Sequence, residues 1–193
     1  MGSIAVPRIP YVSDDAAGPP DLVAEIRSRR QQGLLNLDRI LLHSPALARG
    51  WNAYLGAVRR GLTIAPKLRE LAICAVAVLN EADYELAHHL PEYISAGGSE
   101  AAAEALRDPA AACENVMLFD LAERSVLRLT LEMTRQVQVS DSTFAQIRSV
   151  LGSDRQVVEL VAIVATYNMV SRFLEALEVS IDGEGTHPRG DNA

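Results

Sequence analysis

Cysteine, aromatic residues and clustered positive charge are all scarce in this chain, and each shortage removes a class of function. The two cysteines, Cys74 and Cys113, stand 39 positions apart. That is neither a disulfide framework nor a metal-ligand spacing. Cys74 lies in "LAICAVAV", where the expected role is that of a small buried hydrophobe. The formal net charge is −7 and the basic residues are scattered. The nearest approach to a basic cluster is Arg27, Arg29 and Arg30, read as a solvated helix face, so nucleic acid is not an expected partner. No stretch approaches the roughly 20 apolar residues of a membrane span. The first 20 residues, "MGSIAVPRIPYVSDDAAGPP", lack the basic start and apolar run of a signal peptide, and residues 2–6 make no lipidation signal. A cytoplasmic protein without a membrane partner is expected. No glycine-rich turn joins a strand to a helix, so there is no nicotinamide, flavin or phosphate-binding loop, and no cofactor is expected.

What is present is helix. Apolar residues make up 49% of the 193 and charged residues 22%, which allows an ordinary core in one domain. Residues 1–20, rich in Pro, Gly and Asp, read as an extended arm, and 183–193 as a polar flexible tail containing His187. Between them, 21–182 reads as a single all-α domain. Asp21 opens a helix that stops at Gly33. A short segment, "LLNLDRILLHS", follows. Ser44 and Pro45 start a helix closed by Gly61. Pro66 starts another that runs through Val78 and breaks near Asn80. It resumes at Glu81 and ends at Gly97-Gly98. Ser99 caps an alanine-rich helix that stops before Asp108-Pro109. A long helix is expected over Asn115–Arg135, and one from Asp141 or Ser142 to Gly152. A last helix, with Ser153 and Gln156 as capping box, covers Asp154–Val179. The only strand candidate is "QVQVS". Glu70-Leu71-Ala72-Ile73 and Glu159-Leu160-Val161-Ala162 look alike, a faint hint of duplication.

One segment, "RELAICAVAVLNEADYELAHHLPEYISAGGS", mixes core residues with ionisable ones. Glu85 and His89 are four apart and share a helix face, with Glu81 one turn earlier and His88 three from Glu85. A carboxylate beside an imidazole raises its proton affinity and fixes its orientation, which suits proton transfer near neutral pH. Glu70 precedes the break, so a helical hairpin could bring it to the pair. The plainer alternatives are a solvated Glu–His bridge, a core role for Tyr84, and packing roles for Trp51 and Tyr54. A metal bound by Glu85, His88 and His89 is disfavoured, because adjacent helical residues point about 100° apart.

The same segment resembles the carboxymuconolactone decarboxylase family, which has the alkylhydroperoxidase D-like fold. The resemblance rests on "P-x-L-R-E-L" at Pro66, "Y-E-L-A-H-H" at Tyr84 to His89, and the following "A-G". It extends upstream through "RILLHSPALARGWNAYLGAVRRG" and downstream through "LVAIVATYNMVSRFLEALEV". The family's redox branch carries Cys-x-x-Cys here, whereas this chain has Ala82 and Glu85 at those positions. It keeps the branch's carboxylate and imidazole as Glu70 and His89. Without a thiolate, peroxide reduction through this motif is excluded. The resemblance implies an all-α bundle that assembles as a trimer or hexamer. It also implies cofactor-independent general acid/base chemistry, of the lyase or decarboxylase kind, on a small organic acid, lactone or related carbonyl compound. His89, Glu85, Glu70 and Tyr84 are the catalytic candidates: His89 as proton carrier oriented by Glu85, Glu70 to tune the pair, Tyr84 as oxyanion donor. Tyr167, Asn168, Arg172, Trp51 and His88 are the candidates for binding substrate, Arg172 as a cation for an anionic one. Isomerisation, dehydration and ring closure would use the same groups, and a non-catalytic oligomeric scaffold is the alternative.

Overall fold

The structure, a computed structural model, describes residues 7–16, 18–30 and 33–183. The expected tail, apart from Gly183, lies outside these residues, as does His187. Among the described residues there are ten α-helices and no strand. They are α1 (Pro20–Arg30), α2 (Asn36–Leu41), α3 (Pro45–Arg60), α4 (Pro66–Leu79), α5 (Asp83–Ser95), α6 (Glu100–Ala105), α7 (Pro109–Ala112), α8 (Leu121–Gln136), α9 (Asp141–Leu151) and α10 (Asp154–Leu177). The all-α expectation holds. The arm is not wholly extended, since Asp14–Ala16 form a 3-10 turn and α1 begins at Pro20.

The chain divides into two compact units, Met1–Gly56 with Leu174–Ala193, and Ala57–Phe173. In the first, the arginines of the basic cluster are not simply solvated. Arg30 forks onto buried Asp38 at 2.8 and 2.9 Å, and Arg29 reaches the same carboxylate. Arg8 pairs with Glu178, and the Asn36 amide donates to Asp182. These bonds join distant stretches of the chain within that unit.

The second unit is built around α4. Pro66 supplies its first turn, and Leu71 to Val76 are fully buried in sequence. A helix apolar on every face has to be surrounded, and α5 and α8 pack on it. The core adds Val126, Leu127 and Leu129 of α8, Ile147 of α9, and Leu160, Ile163 and Val164 of α10.

Helix ends follow local chemistry. At the end of α5, Gly97 (φ +102°) and Gly98 donate to Ile94 O and Tyr93 O, the paired bonds of a Schellman turn. At the end of α4, Glu81 and Ala82 make the same two bonds, to Val78 O and Ala77 O. There the left-handed position is held by Glu81 at φ 55°, a conformation that costs a non-glycine residue about 1 kcal/mol. This is the break expected near Asn80.

The expected helix from Asn115 starts later, at Leu121. The Asn115 side chain accepts from the Met117 and Leu118 amides, a local turn that competes with helix. Asp120 and Glu123 then form a capping box. The short α7 had no expectation. The strand candidate is the end of α8 and a loop, with Val137 at φ 67°. One helix, α10, is long and apolar enough to cross a membrane by length and composition, although 56% of its most apolar window is buried.

Candidate active site

The α4–α5 hairpin gathers Glu70, Glu85 and His89. α4 carries Glu70 near its start, and the turn at Asn80–Ala82 sends α5 back alongside it. Glu70, Glu85 and His89 are 1%, 5% and 2% exposed, so none is part of a solvated bridge. His89 Nδ1 donates to Glu70 Oε2 at 2.6 Å. Its Nε2 lies 3.4 Å from Glu85 Oε2. The imidazole is thus flanked by a carboxylate at each nitrogen. The shorter bond comes from the residue 19 positions away, not from the helical neighbour. Orientation of the ring therefore rests first on Glu70, where the spacing alone pointed to Glu85.

Glu70 is itself held. Arg69 Nε donates to its Oε1 at 2.9 Å, and Arg69 Nη1 donates to the Arg59 carbonyl at 3.0 Å. Tyr167 of α10 meets the His89 ring edge-on, centroids 4.9 Å apart. Burial by itself would lower the imidazole's pKa, but the hydrogen bonds to Glu70 and Glu85 outweigh it and leave it raised. Burial would likewise raise Glu70, yet the bond and charge of His89, with the Arg69 bond, hold it below the ordinary carboxylate value. The two directions agree: the pair favours imidazolium and carboxylate. Such an arrangement can store a proton out of water and release it on the side where the contact is looser.

The structure therefore joins Glu70, Glu85, His89 and Tyr167 into one cluster. The other candidates show contacts of their own. Tyr84 stacks on His88, centroids 4.4 Å apart, and His88 Nδ1 bonds the Tyr84 carbonyl. Asn168 is occupied by Asn80, Thr134 and Arg172. Arg172 is exposed, with its Nη1 on Asn168 Oδ1 at 2.6 Å and on the Asn168 carbonyl at 2.8 Å. Trp51 is buried and belongs to the first unit.

Two contributors, Arg69 and Arg59, were not singled out in the sequence, whereas Cys74 is the small buried residue expected. Only the "R-E" adjacency at Arg69 gave a signal in the sequence. Cys74, one turn after Glu70, has its thiol pushed far up by burial and by the charges of Glu70 and Glu85. Cys113 is pushed up to about 11, mainly by burial, and its Sγ donates to Pro109 O. Neither buried thiol is poised as a nucleophile. Among the described residues, no three His, Cys, Asp or Glu are grouped to hold a metal ion.

Residues 45–130 match the model of the carboxymuconolactone decarboxylase family. None of the curated proteins matches the sequence. Several solved structures share the fold. An uncharacterized peroxidase-related protein from Silicibacter sp. TM1040 aligns at TM-score 0.75 and 20% identity, over 94% of this chain and 96% of that one. An uncharacterized peroxidase-related protein from Ralstonia eutropha JMP134, described as an alkylhydroperoxidase AhpD core, aligns at 0.72 and 21%, over 95% of each. A cysteine-to-alanine variant of the debrominase Bmp8, in complex with 2,3,4-tribromopyrrole, aligns at 0.70 and 17%, over 95% and 94%. At these identities the likeness is one of fold.

Proposed function

We propose, for a chain whose residues 45–130 match the model of the carboxymuconolactone decarboxylase family, cofactor-independent proton-transfer catalysis on a small organic acid, lactone or related carbonyl compound, with decarboxylation as the leading reaction. The observation that carries this reading is the buried imidazole between two carboxylates, 2.6 Å from Glu70 and 3.4 Å from Glu85. Glu70 holds the ring and keeps Nδ1 protonated. Nε2 has the longer contact, the one a substrate can replace.

In the decarboxylation, the bond from carbon to the departing carboxylate breaks and its electron pair passes into a conjugated carbonyl, giving an enolate and carbon dioxide. The enolate carbon then takes a proton from the imidazolium. Glu85 receives the next proton from solvent and returns it to Nε2. A fixed ion pair in a dry site stabilises the developing charge without solvent reorganisation. The family's trimeric or hexameric assembly and a cytoplasmic setting go with this reading.

The test is proton NMR in deuterated water with freshly generated γ-carboxymuconolactone and related unsaturated acids, on the wild-type and His89→Ala proteins. Carbon dioxide release with deuterium on carbon, lost in the variant, is the expected result. No turnover and no His89-dependent binding of any candidate would leave a non-catalytic helical module.

A further inference from the structure

The second unit also holds a cavity of about 160 Å³ where the end of α7 meets α8 and α9, and none of Glu70, Glu85 and His89 lines it. Its wall follows helical spacing. Leu121, Arg124, Ser125 and Arg128 are three and four apart and share one face of α8, while Thr143 and Gln146 are three apart on α9.

Most polar side chains on this wall are already used. Ser125 Oγ donates to the Leu121 carbonyl and Thr143 Oγ1 to Glu132 Oε1, each at 2.6 Å. Gln146 Nε2 donates to Ser149 Oγ at 3.1 Å, the Cys113 thiol to Pro109 O, and Arg128 pairs with Glu114. Arg124 is the exception. Among the described residues its half-buried guanidinium makes no ion pair and no hydrogen bond, and Nε is buried without a partner.

Such a group has lost part of its hydration and gained nothing for it. The donors left to it are those on Nη1 and Nη2, whose fork matches two oxygens of an anion. Among the lining residues, Arg124 and Arg128 stand against Glu114, so one positive charge is unbalanced in a chain whose net charge is −7. Water can satisfy the donors but cannot balance that charge. The volume takes a body of about benzene's size, and Leu121 and Cys113 offer it apolar contact.

We propose that this cavity is a second ligand site, in which Arg124 binds a small, singly charged oxyanion, inorganic or organic, independently of the His89 cluster. The proposal goes beyond the reaction given above and does not depend on it.

The test is calorimetric titration of the full chain, in mildly acidic buffer of low ionic strength, with dihydrogen phosphate, benzoate and neutral benzamide. Wild type, R124Q, R124K, E114Q and H89A are compared, each checked for helical content. At least one anion is expected to bind wild type and to lose about tenfold or more in affinity in R124Q, with a smaller loss in R124K. E114Q should bind it about threefold more tightly, because a competing negative charge is gone. H89A should leave the Arg124-dependent binding unchanged, and added salt should weaken it. Phosphate as the tighter ligand identifies an inorganic anion, and benzoate as the tighter one an organic acid whose body rests on Leu121. Failure of both anions to bind wild type overturns the proposal. So does equal affinity in R124Q, benzamide binding as tightly as benzoate, or binding that H89A abolishes and R124Q keeps. Should R124Q not fold, anion affinity unchanged in both R124K and E114Q overturns it equally.

Discussion

Glu70 and Glu159 open look-alike segments, and the fold gives them different work. Glu159 Oε2 accepts from the Thr63 amide at 2.7 Å, the Ile64 amide at 3.0 Å and Thr63 Oγ1 at 2.9 Å, while Oε1 takes Arg155. It clamps the chain entering α4. Glu70 faces an imidazole instead. Both carboxyls lie below the ordinary value: burial pushes each upward, but hydrogen bonds prevail, from His89 and Arg69 at Glu70 and from Arg155 and Thr63 at Glu159. The difference lies in the donors. A main-chain N–H cannot give up its proton at any working pH, so Glu159 is a fastener. An imidazole can, so Glu70 belongs to a proton site.

The strongest way to break this contrast is to remove the imidazole. His89→Ala should lower turnover about 10²–10⁴-fold, the usual worth of a positioned acid or base, with the fold retained by circular dichroism. Retained turnover would demote Glu70 to another fastener.

Exchanging the glutamates sharpens the point. Glu159→Ala strands two amides and should cost about 2 kcal/mol in urea unfolding, with turnover per folded molecule unchanged. Glu70→Gln should cost about 10- to 100-fold in turnover per folded molecule, and it should also destabilise the fold, because it removes the partner charge of the buried His89 and of Arg69. The reverse pattern in turnover would sink the assignment of roles.

The two sites should also differ in pH dependence. His89 is raised above its ordinary 6.5, so its stabilisation is full below that pH and is lost as pH rises through the raised value. Glu159 is lowered from 4.5, so its share is full above that pH and is lost as pH falls through the lowered value. In melting temperature against pH, His89→Gln should flatten the alkaline side and Glu159→Gln only part of the acid side. An unchanged alkaline side in His89→Gln would mean the imidazole is not protonated on folding.

The smallest effect concerns the hinge between the site helices. Glu81→Gly relieves a left-handed residue at φ 55° and should stabilise by about 0.5 kcal/mol, after the greater chain entropy glycine brings to the unfolded state. A destabilised variant would mean that the Glu81 side chain supports the turn.

Much of this was legible before any coordinates. Pro66, Ser99 and the Gly97-Gly98 pair mark helix ends through their own backbone preferences, and the capping residues act within three positions. The false start at Asn115 arose because periodicity cannot show a side chain bonding its own following amides. In the site, the Glu85–His89 spacing was visible because helical geometry sets it. That Tyr167 would join and Asn168 would not was invisible, since they are adjacent in sequence and diverge only when α10 packs.

The sequence by itself determined the all-helical fold, the break at residues 80–82, the absence of a Cys pair at Ala82 and Glu85, and the pairing of Glu85 with His89. All are consequences of local backbone chemistry and residue identity. Only the tertiary structure decided that Glu70 holds His89 more closely than Glu85 does, that Glu159 clamps a loop, and that Arg172 is committed while Arg124, among the described residues, is not. Those outcomes depend on which groups meet in a common dry space, and that is set by how the helices pack, not by the order of residues along any one of them.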